Sequence, residues 1–110
     1  MITLYHHVVA FRMKPGVTAA EVAVLAKELR ELAGTLPGVV SYACGADLGL
    51  RAGNGDFAVT AAFDSEDALR DYLNHPEHKD IIARHVTAMV AERHGVQFAD
   101  VTTDPSQENA

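Results

Sequence analysis

At 110 residues, the chain has room for one domain around one core and not for two. Nine Lys and Arg against fifteen Asp and Glu give a formal net charge of −6, and the basic residues are scattered, which argues against nucleic acid or an anionic membrane as a partner. The single cysteine, Cys44, excludes an internal disulfide and a thiolate zinc centre, so a reducing cytoplasmic setting is expected.

Residues 3–13 (TLYHHVVAFRM) are rich in β-branched and aromatic side chains and end at the turn signal Lys14-Pro15-Gly16, which predicts a first strand. No basic segment leads into an apolar one ahead of it, and no stretch approaches the roughly 18 to 20 apolar residues of a membrane span, so neither export nor membrane anchoring is expected. Thr18 and Glu21 have capping-box spacing, and Val22, Leu25, Leu29, Leu32 and Leu36 recur at helical intervals until Pro37-Gly38. The opposite face of this helix carries Lys27, Glu28, Arg30 and Glu31, an ordinary solvated surface.

Residues 39–48 read as a second strand and residues 56–63 as a third, joined through a Gly-rich connection over 49–55. Asp64 or Ser65 then caps a short helix through Ala68, Leu69, Tyr72 and Leu73. His75-Pro76 interrupts it, and Pro76 suits the first turn of a restarted helix because no backbone N–H is needed there. The restarted helix is expected to run to about Arg93, with Gly95 ending it and a short last strand over 96–101. Residues 102–110 (TTDPSQENA) are polar, contain Pro and lack periodicity, so the domain is expected over 1–101 with a disordered tail over 102–110.

The order βαββαβ, with the second helix broken, predicts an α+β, ferredoxin-like domain. His7, Val9 and Phe11 alternate with His6, Val8 and Ala10, and Phe57, Val59, Ala61 and Phe63 alternate with Ala58, Thr60 and Ala62. Both sheet faces are therefore largely apolar or small, while the helices can cover only one. A homodimer pressing two uncovered faces together is the economical solution.

The chemistry-bearing side chains gather around Tyr72-Leu73-Asn74-His75-Pro76-Glu77-His78, where a helix break lets residues on either side aim at one point. His78, Ile81, Ile82, His85 and Met89 form one stripe, which turns His78 toward the sheet. His7 shares its phase with Val9 and Phe11, so it can meet His78 and Tyr72 between helices and sheet. A pocket for a small apolar or aromatic carbonyl ligand is expected there, walled by Val9, Phe11, Phe57, Val59, Leu69, Leu73 and Ile82. Each of these groups also has a purely structural reading, in which Tyr72 is core and the histidines close a buried hydrogen-bond network.

The other histidines invite blander assignments. His75 sits where a helix cap belongs, and His94, beside Gly95, reads as a partner for a helix C-terminus. His85 lies two turns, roughly 10.5 Å, beyond His78, so the pair cannot share an ion, and His85 is read as a core or rim residue. His6 points to the opposite face from His7. Three convergent ligands are not visible, and no metal is expected.

The segments HHVVAFRMKPGV, GDFAVTAAFDSEDALRDYLNHPEHKDI and VQFADV resemble the Dabb family, the stress-responsive A/B barrel proteins, over residues 3–101. The Tyr-x-x-His-Pro-x-His segment is the most specific part, supported by the histidine eight residues before Pro15. The resemblance implies a ferredoxin-like unit paired into a dimeric α/β barrel. It is also similar to a branch, typified by olivetolic acid cyclase, that closes linear polyketide thioesters by aldol condensation without a cofactor. What this implies here is a histidine base at His78, a carbonyl-orienting phenol at Tyr72 and a hydrogen-bonding partner at His7. Asp56-Phe57 departs from the polar or aromatic pair, frequently ending in His, that members often carry at the start of the third strand, so the same substrate is not implied.

Two functions of different classes follow. One is a cofactor-independent lyase or cyclase acting on a polyketide-like or aromatic carbonyl acid, for which a neutral imidazole suffices as base. The other is a non-catalytic dimer that binds a small ligand or serves a stress-related role through its own stability.

Overall fold

The structure is a computed structural model that describes residues 1–102, so most of the expected tail lies outside the described residues. The elements are β1 (Ile2–Met13), α1 (Ala19–Ala33), β2 (Val39–Ala46), β3 (Phe57–Phe63), α2 (Glu66–Asn74), α3 (Pro76–Ile81), a widened π-helical turn (Ile82–Val86), the short α4 (Thr87–Met89) and β4 (Val90–Thr102). The strands form one antiparallel sheet in the order β2-β3-β1-β4. This is the ferredoxin-like α+β arrangement.

Local chemistry accounts for the helical layer. Thr18 Oγ1 accepts from the Glu21 backbone N–H at 3.2 Å while Glu21 Oε1 accepts from the Thr18 N–H at 3.1 Å, a reciprocal cap that starts α1. Leu25, Ala26, Leu29 and Leu32 of α1 then pack with Leu69 and Tyr72 of α2, Ile81 of α3, and Val86 and Met89 beyond it against Val9, Phe11, Phe57, Val59, Ala61 and Phe63 of the sheet. The helix ends at Ala33, and Leu36 joins the core from the following turn, half-buried. Gly38 is required in that turn: its φ is +84°, and a Cβ would stand 2.6 Å from the Ala68 Cβ.

The largest departure from the sequence expectation lies at the end of the second helical segment. Helix stops at Met89 and not near Arg93, and β4 begins at Val90, well before Gly95. The reason is non-local. Strand β1 is paired with β4 from Ile2 opposite Thr102 through Met13 opposite Val90, with a bulge at Arg12/Met13, and this long ladder satisfies backbone groups that a shorter β4 would leave bare. Thr102 therefore belongs to the last strand and not to a tail. His94 lies within β4, 3.7 Å from Glu92, so it serves no helix C-terminus.

On the face away from the helices, His6 stacks on Phe98 with centroids 4.8 Å apart and planes 14° from parallel. Val96 and Phe98 remain 58 % and 48 % exposed there. Among the described residues no helix is long and apolar enough to cross a membrane.

Candidate functional site

The sheet carries the site on consecutive rungs. Tyr42, Ala61, His7 and Gln97 lie side by side across β2, β3, β1 and β4. The next helix-facing rung is Cys44, Val59, Val9 and Gly95, and the one after it Ala46, Phe57, Phe11 and Arg93. Because side chains alternate along a strand, all three rungs face the helices.

Above them the helical layer changes direction at one residue. Ser65 caps α2 by accepting from the Ala68 N–H at 3.0 Å, and α2 ends at Asn74. His75 is extended (φ −61°, ψ 134°), and its Nδ1 accepts from the Glu77 N–H at 3.1 Å, capping α3 with Pro76 in the first turn. The turn in the chain brings Tyr72 and His78 together, with ring centroids 4.4 Å apart. Tyr72 also lies 5.8 Å from the His7 ring. His85 turns instead toward α1, where it meets the Glu28 carboxylate, which also receives Arg84 at 3.0 Å.

Between these layers is a cavity of about 310 Å³. His7, Val9, Phe11 and Val59 form its floor, with Gly95, Gln97 and Arg93 along the β4 side; Leu29, Tyr72, Leu73, His78, Ile82 and Val86 form its roof. The three residues singled out for chemistry thus face one space, as do Val9, Phe11, Val59, Leu73 and Ile82. Phe57 and Leu69 do not line it. Phe57 is 2 % exposed and packs on Phe11 with centroids 5.9 Å apart, while Leu69 lies one helical turn before Tyr72 and is spent on the core. The lining residues that sequence reasoning passed over are Leu29, Val86, Arg93, Gly95 and Gln97. Val86 lies in the expected helix and Gln97 in the expected last strand, but Arg93 was expected to be helical, and the register that sets Gly95 and Gln97 beside Val9 and His7 is not written locally.

Burial sets the electrostatics. His7 is lowered to about 4, first by burial, then by the neighbouring His78 and by Arg93. The Gln97 amide donates to His7 Nδ1 at 2.9 Å, so the neutral ring carries its own proton on Nε2. His78 is also lowered, by burial above all, with the Leu73 carbonyl pulling the other way and Arg93 and His75 adding to the depression. Its Nδ1 is sealed from the cavity and makes no hydrogen bond of normal geometry among the described residues. With Nδ1 buried, Nε2 is the His78 ring nitrogen left to reach the cavity.

Tyr72 is pushed up to about 12, mainly by burial, with the Tyr42 hydrogen bond opposing and Cys44 adding. Burial likewise raises Tyr42, far above the ordinary phenol value. The two hydroxyls are 2.8 Å apart and either can donate; with Tyr42 as donor, Tyr72 keeps its own O–H for a carbonyl oxygen. Tyr42 was another omission from the sequence reading, and only the rung it shares with Ala61 and His7 reveals it. No group of three His, Cys, Asp or Glu side chains among the described residues is placed to hold a metal ion.

A four-stranded antiparallel sheet covered on one face, with a small cavity between the layers, defines a ferredoxin-like α+β protein. Residues 5–100 match the model of the stress responsive A/B barrel domain family, and the chain belongs to that family. It is 34 % identical over 82 residues to an uncharacterized protein of Streptomyces coelicolor, covering 73 % of this chain and 84 % of that one. Among solved structures it is similar to a dimeric ferredoxin-like protein of unknown function from Thermobifida fusca, at 41 % identity and a TM-score of 0.81, covering 91 % of this chain and 93 % of that one. It also resembles the hydroxynitrile lyase of Passiflora edulis, with a TM-score of 0.76 over 93 % of this chain and 97 % of that one. At 18 % identity the last is a likeness of fold.

Proposed function

We propose that this protein is a cytoplasmic homodimer whose cavity performs cofactor-independent general-base chemistry on a small polyketide-like or aromatic carbonyl acid. The observation that carries the reading is that two buried histidines, both shifted toward the neutral form by burial, line one cavity, with His7 Nδ1 already taken by the Gln97 amide. The dimer is supported by the exposed Val96 and Phe98 on the uncovered sheet face and by the description of the Thermobifida fusca relative as dimeric. A lyase among the structures of the same fold is compatible with carbon-bond chemistry at such a cavity.

His78 Nε2 takes the proton from a carbon between two carbonyls, and the enolate oxygen accepts a hydrogen bond from His7 Nε2–H. The enolate carbon bonds to the carbon of a further carbonyl, remote along the same molecule, whose π electrons pass to its oxygen. The His78 imidazolium returns its proton to that alkoxide. One C–C bond has formed, the imidazole is neutral again, and no electrons have entered or left. Run backwards, the same groups cleave a β-hydroxy ketone. Tyr72 packs against both rings and, accepting from Tyr42, turns its own O–H to a carbonyl oxygen of the ligand.

The test is to supply β-keto acids and their thioesters to the wild type and to His78→Ala and His7→Ala proteins while following product formation. Turnover by the wild type that drops at least about a hundredfold in His78→Ala is expected; equal turnover in all three proteins sinks the reading. One observation favours the non-catalytic alternative, in which the cavity only binds a ligand: Tyr72 is 1 % exposed and closed on Tyr42, as in a structural network. Ligand binding without turnover by the wild type is the outcome that selects it.

A further inference from the structure

Arg93 is the single permanently charged side chain lining the cavity, and no carboxylate lines it. Of the other five arginines of the described structure, Arg51 is exposed in the connection between β2 and β3, away from the cavity lining, and four are engaged elsewhere. Arg12 pairs with Glu92, Arg70 with Glu66, and Arg84 with Asp80 and Glu28, while Arg30 donates to the Cys44 carbonyl. Among the described residues, no ion pair engages Arg93. In a chain of net charge −6, most of the surface repels anions, so an unneutralised guanidinium at a cavity is where an anion would be welcomed. Its proximity to the chemistry is independently visible, since Arg93 depresses the protonation of both His7 and His78.

The geometry says which end of a ligand it would hold. Arg93 stands beside Phe11, two rungs along from the His7–Gln97 rung, and four residues of β4 span roughly 13 Å. Gly95, between them on the same side of the strand, presents no side chain to block the path. The stretch from Arg93 to His7 and His78 is walled by Val9, Phe11 and Val86. An anionic group at one end, an apolar body of about one ring, and a carbonyl at the imidazoles would fill it. A single guanidinium forms a bidentate pair with a carboxylate, whereas nothing else in the lining offers the second cation that would favour a phosphate dianion.

Resting on the reading of this cavity as a ligand site, we infer that Arg93 is a specificity-determining residue that selects free carboxylic acids over their esters, amides and thioesters, holding the carboxylate so that the far end of the molecule meets His7 and His78. The experiment is calorimetric titration of the full chain at neutral pH with 3-phenylpropanoate, its methyl ester and its amide, and with the shorter and longer phenylalkanoates, using wild type, Arg93→Gln and Arg93→Lys. The wild type binds the best-fitting acid at least about tenfold more tightly than its amide, as a charge-assisted contact requires. Arg93→Gln loses that preference and Arg93→Lys keeps part of it. Rising salt shrinks the preference and leaves amide binding unchanged. An amide that binds as tightly as the acid, or a preference that survives in Arg93→Gln, overturns the assignment. If Arg93→Gln does not fold, an Arg93→Lys protein with undiminished preference and no salt response overturns it equally. Arg93-dependent acid binding without turnover of any acid leaves this inference standing and removes the general-base reading, and failure of every probe to bind removes both.

Discussion

Gln97 donates its side-chain amide to His7 Nδ1 across 2.9 Å, joining residues on β4 and β1 that are neighbours only through strand register. The bond assigns the His7 tautomer, so Gln97→Leu is expected to release the Nε2–H form into a mixture visible in imidazole ¹⁵N NMR. A stability loss of about 0.5–1.5 kcal/mol accompanies it. An unchanged tautomer in Gln97→Leu would show that another group sets it.

The lowered His7 value makes stability depend on pH in a defined direction. With the folded value at about 4 and the ordinary histidine value near 6.5, the unfolded chain binds the proton more readily. Stability therefore rises with pH across that window and falls as the solution is acidified from about 6.5 toward 4. His78, shifted the same way, adds to the trend. Denaturant midpoints for wild type and His7→Phe should show a weaker dependence over this window in the variant; parallel curves would mean that His7 does not titrate as a buried group.

The Tyr42–Tyr72 hydroxyl pair, 2.8 Å apart, should behave as a coupled unit. Removing either hydroxyl leaves the other unsatisfied, so Tyr42→Phe and Tyr72→Phe each cost about 1 kcal/mol and the double variant costs less than their sum. Strict additivity in chemical denaturation would remove the pair as a source of stability.

His75 caps α3 through the Glu77 N–H and sets the angle that brings Tyr72 against His78. His75→Ala is expected to destabilise by about 1 kcal/mol, and His75→Asn to restore most of it, since asparagine presents an acceptor at the same position. Thermal or urea unfolding reads this directly, and equal stability of all three proteins would deny the cap any weight.

Phe98, 48 % exposed and stacked on His6, marks the proposed dimer face. Phe98→Asp places a charge in that face and should shift the mass measured by light scattering from dimer to monomer while the helical signal persists. A dimer that withstands the change places the interface elsewhere.

The sequence by itself determined the elements whose causes are local: the Thr18/Glu21 cap and leucine spacing of α1, the turn residues bounding the first three strands, and the helix break at His75-Pro76. Strand phase and helix stripe also put His7 and His78 on surfaces that could face one another. What only the tertiary structure decided was the reach of β4, which overrides a continuing helix because β1 offers a ladder to fill, and with it the arrival of Arg93, Gly95 and Gln97 at the cavity. The same holds for Tyr42, whose hydroxyl reaches Tyr72 because β2 registers with β3 at Ala61. Caps, turns and periodicities are written within a few residues of one another, whereas register joins residues as distant as His7 and Gln97 and is fixed by the summed pairing and burial of whole strands.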